Sequence, residues 1–182
     1  MSDPIRTLRQ ATQSLVGRRC LGVVGGWGSY LSIEFEPAYI RRRPVDNSKM
    51  VAALRNHMGE VSLFLTDAAW RLTRGRRILV GSLDKLRSRH EQAAIRALAG
   101  LRVVVVELVE PGWMLKVSFT RGIALEVFPV SSEFCEGVDG YSVLLPRRTF
   151  SVLPGGRVGV EQSKRWQRMR VPVVPGKSGH RR

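Results

Sequence analysis

The side chains best suited to metal or nucleophilic chemistry are few: His57, His90 and His180, with Cys20 and Cys135. No histidine stands four residues from another ligand and the cysteines form no CxxC pair, so the clustered donors that zinc requires are not written locally. His90 falls on the apolar side of a helical stretch and reads as a core or boundary histidine. The two cysteines read as buried free thiols in a reducing compartment. Glu34 and Glu36 share one face of an alternating strand. With Glu60 or Asp67 they could supply the acidic set of a metal-dependent nuclease. No lysine accompanies them at a telling spacing, and pairing with nearby arginines is the expectation. Gly25-Gly26-Trp27-Gly28 lies between two strands and reads as a hairpin turn, not as a phosphate cradle opening a helix. There is no G-x-S-x-G elbow and no P-loop. These residues predict a protein with no catalytic residue, no metal and no cofactor.

What remains is charge. Thirty basic residues face fifteen acidic ones, for a net charge of +15. A field of that sign attracts polyanions: nucleic acid, anionic lipid or an acidic protein face. The basic residues gather in three places. Arg41, Arg42 and Arg43 form one run. Arg71, Arg74, Arg76 and Arg77 surround a turn. Lys164, Arg165, Arg168 and Arg170 follow near the C-terminus with Trp166 among them, an indole that could stack on bases or dock onto the domain. The expected function is a non-enzymatic interaction protein that binds an acidic protein partner. The alternative is a nucleic-acid-binding accessory protein that uses the same arginines on phosphates without reading bases. No recognition helix, RNP motif or zinc finger supports the alternative.

The elements that must carry these residues alternate in hydrophobicity. Asp3 and Pro4 open a short helix that Gly17 closes. Arg19 to Val24 and Tyr30 to Glu36 form a hairpin, with Leu31, Ile33 and Phe35 turned inward and Ser32, Glu34 and Glu36 turned to water. Asn47 to His57 predicts a second helix ended by Gly59. Strands follow at Val61 to Leu65, Ala69 to Leu72 and Ile78 to Val80. Residues 83–99 give the strongest helical pattern, ended by Gly100. Beyond it lie Arg102 to Val109, Met114 to Thr120, Ile123 to Val127, Tyr141 to Leu145 and Thr149 to Leu153, all read as strand.

Two stretches of the chain resemble each other. Leu15-Val16-Gly17-Arg18-Arg19 matches Leu98-Ala99-Gly100-Leu101-Arg102, and Leu31, Ile33 and Phe35 match Leu115, Val117 and Phe119. A weaker match sets Trp70-Arg71-Leu72 against Tyr141-Ser142-Val143, and Arg76-Arg77 against Arg147-Arg148. A unit with one apolar face cannot bury it alone, whereas two packed together can. The expected fold is therefore α+β and mainly antiparallel: two pseudo-repeated β-meander units, residues 15–82 and 98–156, joined by a central helix at 83–99. They form one globular domain over residues 1–161. Residues 162–182, acid-free and broken by Pro172, Pro175, Gly176 and Gly179, read as a basic, flexible tail.

The Leu15-Val16-Gly17 and Leu98-Ala99-Gly100 steps, the Leu31-x-Ile33-x-Phe35 strand and the run from Leu115 through Gly122 to Phe128 resemble a group of small bacterial proteins of unknown function. In these, an L-x-G, strand, turn and L-x-F unit occurs with a diverged first copy. The resemblance covers roughly residues 15–155. It implies a β-rich fold and a bacterial cytoplasmic setting, and it carries over no activity and no site residue. The N-terminus lacks the basic-then-apolar pattern of a secretory signal. No stretch reaches the ~18 apolar residues of a spanning helix, so no membrane insertion is expected. Strand edges leave a homodimer open.

Overall fold

The computed structural model describes residues 3–25, 30–46, 52–84, 89–130 and 139–172. Among them lie three α-helices and twelve strands, arranged as two antiparallel sheets.

Helix α1 (Pro4–Gln13) starts as its sequence dictates. The Asp3 carboxylate accepts the Ile5 N–H at 3.0 Å and Pro4 takes the first turn, where a missing N–H costs nothing. Its buried side is Leu8, Ala11 and Thr12, and a turn ending at Gly17 (φ 81) follows. Strands β1 (Cys20–Gly25) and β2 (Leu31–Arg41) form the expected hairpin, with Leu31, Ile33 and Phe35 at 2% exposure or less. Strand β2 runs five residues further than its alternation implied, through a register shift between Phe35 and Ala38.

The predicted helix at 47–57 corresponds to α2 (Ala52–Asn56), with 47–51 outside the described residues. Gly59 does not terminate it. It lies inside β3 (His57–Leu65), where a Cβ would meet the Phe35 carbonyl oxygen at 2.2 Å, so its lack of a side chain admits a backbone approach. Strands β4 (Ala68–Arg74) and β5 (Arg77–Gly81) come next.

The helix expected at 83–99 is shorter. Ser82 to Asp84 form a turn and bend, 85–88 lie outside the described residues, and α3 spans Arg89–Arg96. Its inward side is Ile95, with Leu98 buried in the turn beyond, whereas His90 is exposed. The inward side runs through half-buried Glu91, Gln92 and Ala94 to Ile95, and not through His90 and Ala93, which are exposed. The rest is strand: β6 (Val103–Val109), β7 (Met114–Phe119), β8 (Ile123–Pro129), β9 (Tyr141–Leu144), β10 (Arg148–Val152), β11 (Val158–Gln162) and β12 (Met169–Pro172).

The larger sheet has the order β1-β2-β3-β9-β10-β11, with β12 added to the overhanging end of β2; the smaller is β5-β4-β8-β7-β6. Each part of the chain therefore lends strands to the other. After β3 the chain crosses to place β4 and β5 beside β8, and after β8 it returns to place β9 and β10 beside β3. Side-by-side meanders would have left the two units meeting only through one face; the exchange ties them through hydrogen-bond ladders as well.

The two arrangements share their registers. Cys20↔Phe35, Val23↔Ile33 and Val24↔Ser32 in the first hairpin stand as Val103↔Phe119, Val106↔Val117 and Glu107↔Lys116 in the second. Between them, Gly17 N–H donates to Val103 O and Gly100 N–H to Cys20 O, and Cys20 N–H to Leu101 O and Val103 N–H to Arg18 O. Phe35 stacks on Phe119 at 6.5 Å between centroids. Leu65↔Tyr141 pairs as Val127↔Trp70 does. One hydrophobic cluster runs through both sheets.

The expected flexible tail begins inside β11 and is held in place up to Pro172. Ser163 N–H bonds Arg147 O at 2.9 Å, Arg42 N–H bonds Arg168 O at 2.9 Å, and β12 pairs with β2. The reason is Arg165, whose guanidinium enters the domain and meets buried Glu34. Residues 173–182 lie outside the described residues.

Candidate functional site

Three of the four carboxylates considered for a nuclease centre are engaged by arginine. Glu34, 6% exposed, accepts from Arg165 Nη2 at 2.5 Å, Ser62 Oγ at 2.7 Å and Gly59 N–H at 2.9 Å, with Arg41 Nη2 at 3.8 Å. It is not turned to water as strand alternation suggested, because residues 163–168 cover that face. Glu36 pairs with Arg19 at 2.5 Å and Glu60 with Arg18 at 2.7 Å, while Asp67 is exposed. Among the described residues no three His, Cys, Asp or Glu side chains converge as metal ligands. Cys20 is a free, buried thiol, and loss of hydration pushes its pKa up to about 12, far from a nucleophile's range. Cys135 lies outside the described residues, as do Gly26, Trp27 and Gly28.

The twelve basic and aromatic side chains singled out from sequence divide sharply. Three are engaged by the fold itself, Arg41 and Arg165 within it and Arg71 at its exposed surface. Arg41 donates to the Leu54 and His57 carbonyls at 3.1 and 2.9 Å, and burial draws its pKa down against the pull of Glu34. Arg165 bonds Glu34 and the Gly59 carbonyl. Arg71 pairs with Glu126 at 2.5 Å and lies over the Phe128 ring. Seven more are exposed and not ion-paired among the described residues: Arg42, Arg43, Arg74, Arg76, Arg77, Lys164 and Arg168. The side chains of Trp166 and Arg170 are outside the described residues.

Backbone contacts assemble the exposed cations into two groups. At one end of the smaller sheet the β4–β5 turn, built on Gly75 (φ 57), touches the β7–β8 turn through Gly75 N–H to Gly122 O at 3.4 Å. This places Arg121 beside Arg74, Arg76 and Arg77. Arg121 itself has φ 64 and ψ 22, and Gly122 has φ 68, the geometry of a type I′ turn in which asparagine and glycine are favoured. An arginine there stands about 1 kcal/mol or more above an ordinary conformation. The second group lies on the larger sheet, where the Arg42–Arg168 and Ser163–Arg147 backbone bonds gather Arg42, Lys164, Arg168, Arg147 and Arg148.

Sequence reading missed Arg121 as a site residue. Its signal was present in the Arg-Gly pair, at a hairpin turn that most often takes Asn-Gly. Arg147 and Arg148 were seen only as part of a repeat, because nothing local reveals that residues 163–168 return beside them.

Like charges this close repel, by roughly 0.4 kcal/mol per pair at about 10 Å in water. A bound anion removes that repulsion, so each group is a surface prepared for negative charge. No exposed aromatic ring accompanies either group among the described residues; the exposed aromatic, Tyr30, precedes β2 at the β1–β2 connection. The chain matches no protein-family model, no curated protein and no solved structure.

Proposed function

We propose that this chain is a non-enzymatic binding module that engages an acidic protein partner through exposed arginines at the turn ends of its sheets. The observation that carries the reading is the Arg74, Arg76, Arg77 and Arg121 group: four exposed guanidiniums, no carboxylate paired with any of them among the described residues, and one held in a costly backbone conformation. Strain kept at an exposed residue is best accounted for by what that residue contacts. Nucleic acid would use the same charges, but non-specific single-strand binders add aromatic stacking platforms, and these turns offer none among the described residues. No helix among the described residues is long and apolar enough to cross a membrane. The reading includes the bacterial cytoplasmic setting that the L-x-G and L-x-F pattern implies, and an origin of the matching registers in duplication of one unit.

The test is fluorescence anisotropy of the full chain with labelled polyglutamate and with duplex and single-stranded DNA of similar charge. Polyglutamate should bind at low salt, and the Arg74→Glu/Arg77→Glu variant should lose that binding at least tenfold. No polyglutamate binding even at ~20 mM salt, where screening is weak, overturns the reading. Tighter binding to DNA, falling on the order of a hundredfold between ~50 and ~200 mM salt as about four phosphate contacts require, replaces it with the nucleic-acid alternative.

A further inference from the structure

A strand at the end of a sheet leaves one row of N–H and C=O groups without a ladder, and proteins cover such edges or use them. Here two edges are covered from within. The outer edge of β6 is capped by the chain's first segment: Gln13 Nε2 donates to Val106 O at 2.8 Å, Gly17 N–H to Val103 O at 2.9 Å, and Arg9 pairs with Glu110 at 2.7 Å. The outer edge of β1 is engaged in the same way at Cys20 by Gly100 and Leu101.

Strands β5 and β10 hold corresponding places, although β5 has a register shift between Leu72 and Thr73 that β10 lacks. Arg71↔Gly81, Leu72↔Val80 and Thr73↔Ile78 correspond to Ser142↔Ser151, Val143↔Phe150 and Leu144↔Thr149. Strand β10 carries β11 on its outer edge through five paired positions, Val152↔Val158 to Arg148↔Gln162. Strand β5 carries no strand there among the described residues. Among the described residues, one copy of this edge is thus joined by a strand and the other by none.

From this we infer that β5 is a strand-addition site, which an extended acidic segment of the partner protein joins antiparallel, as β11 joins β10. The inference rests on the acidic-partner reading and names its contact surface. Asp84 already accepts the Gly81 N–H at 2.7 Å, so what a further strand could join is the outward-facing, alternate backbone groups of residues 77–80. Ile78, 62% exposed, offers that strand an apolar contact. The occupant's direction follows from the filled copy: apolar Val158 lies at the far end and Glu161 and Gln162 at the turn end. On β5 the turn end is where Arg74, Arg76, Arg77 and Arg121 gather, so a strand with valine-like residues first and carboxylates last would meet them in order. A second copy's β5 fits less well. It would bring another set of arginines and, in Asp84, a carboxylate already bonded within its own chain.

The test uses the full chain and a labelled peptide, Val-Ser-Val-Glu-Glu-Glu. One control has proline at alternate positions to remove backbone donors, and another has the sequence reversed. Hydrogen exchange is followed by mass spectrometry. The inference expects the first peptide to bind at least tenfold more tightly than either control and to slow exchange at residues 77–80, with affinity lost in Arg76→Glu/Arg77→Glu. Equal binding of all three peptides, with no protection of β5, overturns strand addition while the basic-surface reading survives. Absence of binding by any of them, polyglutamate included, overturns both. Concentration-dependent self-association that protects residues 77–80 without peptide assigns the edge to a second copy and overturns the inference.

Discussion

Replacing Glu34 by glutamine removes one negative charge and almost nothing else. Three donors converge on Glu34 Oε2: Arg165 Nη2 at 2.5 Å, Ser62 Oγ at 2.7 Å and Gly59 N–H at 2.9 Å. Glutamine keeps one oxygen, which can still serve Ser62 or Gly59, but two guanidiniums are left without a counter-charge. The Arg165 side chain is 9% exposed, its Nε already lacks a partner, and its remaining bond would be the one to Gly59 O at 2.7 Å. Breaking a buried pair from one side costs about 3–5 kcal/mol, because the surviving charge stays buried. Arg165→Met should cost less, about 1.5–3 kcal/mol, since Glu34 retains Ser62, Gly59 and Arg41. The double variant should fall short of the sum by about 1–3 kcal/mol, the signature of two groups in one network. Urea unfolding with linear extrapolation measures all three, and hydrogen exchange reports whether β12 is released with Arg165. The effect should persist at ~0.5 M salt, which screens exposed pairs but not buried ones. If Arg165→Met lies within about 0.5 kcal/mol of the parent protein, the pair is worth no more than a surface contact, and residues 163–172 are not anchored as argued.

Two further outcomes follow from single residues. Arg121→Asn should stabilise the fold by about 1 kcal/mol in urea unfolding, because asparagine tolerates the left-handed conformation, while lowering polyglutamate affinity severalfold; unchanged affinity would remove Arg121 from the site. The Cys20 thiol, pushed up to about 12 from 9.0 by burial, favours the protonated folded state. Its stabilisation is whole below pH 9 and is lost at about 1.4 kcal/mol per unit as pH climbs towards 12. Cys20→Ala should therefore flatten the decline of the urea midpoint above pH 9, against the contribution of Tyr141, whose pKa is also raised by burial. Parallel slopes for the two proteins would show that the thiol ionises without resistance.

The legible parts of this fold were those written in neighbouring residues. The Asp3 cap, the inward Leu31-Ile33-Phe35 row and the α+β, mainly antiparallel character all come from local spacing. What stayed hidden depends on residues far apart in the chain. Arg165 meets Glu34 across 131 positions, so no local pattern could say that one arginine of a basic run belongs to the interior. Gly59 looked like a helix terminator because a glycine after a helical stretch commonly is one; its task is set by the Phe35 backbone on the neighbouring strand. The exchange of β4–β5 and β9–β10 between sheets was equally unreadable, since the alternation of a strand names its buried face but not the sheet it joins.

That distinction also decides how the net charge should be read. Seven basic side chains, Arg9, Arg18, Arg19, Arg41, Arg71, Lys116 and Arg165, form ion pairs with six glutamates among the described residues. Had such pairs absorbed most of the thirty cations, basicity would be an internal matter of structure. They do not, and those left over are not spread evenly. Cations kept only for solubility reduce mutual repulsion by dispersing. Arg74, Arg76, Arg77 and Arg121 instead share two touching turns at one end of one sheet, beside a strand edge that no described strand joins, with the backbone of Arg121 held where glycine or asparagine would sit more easily. Stability alone would select against each of those features. Their occurrence together is what an acidic strand arriving at β5 would require.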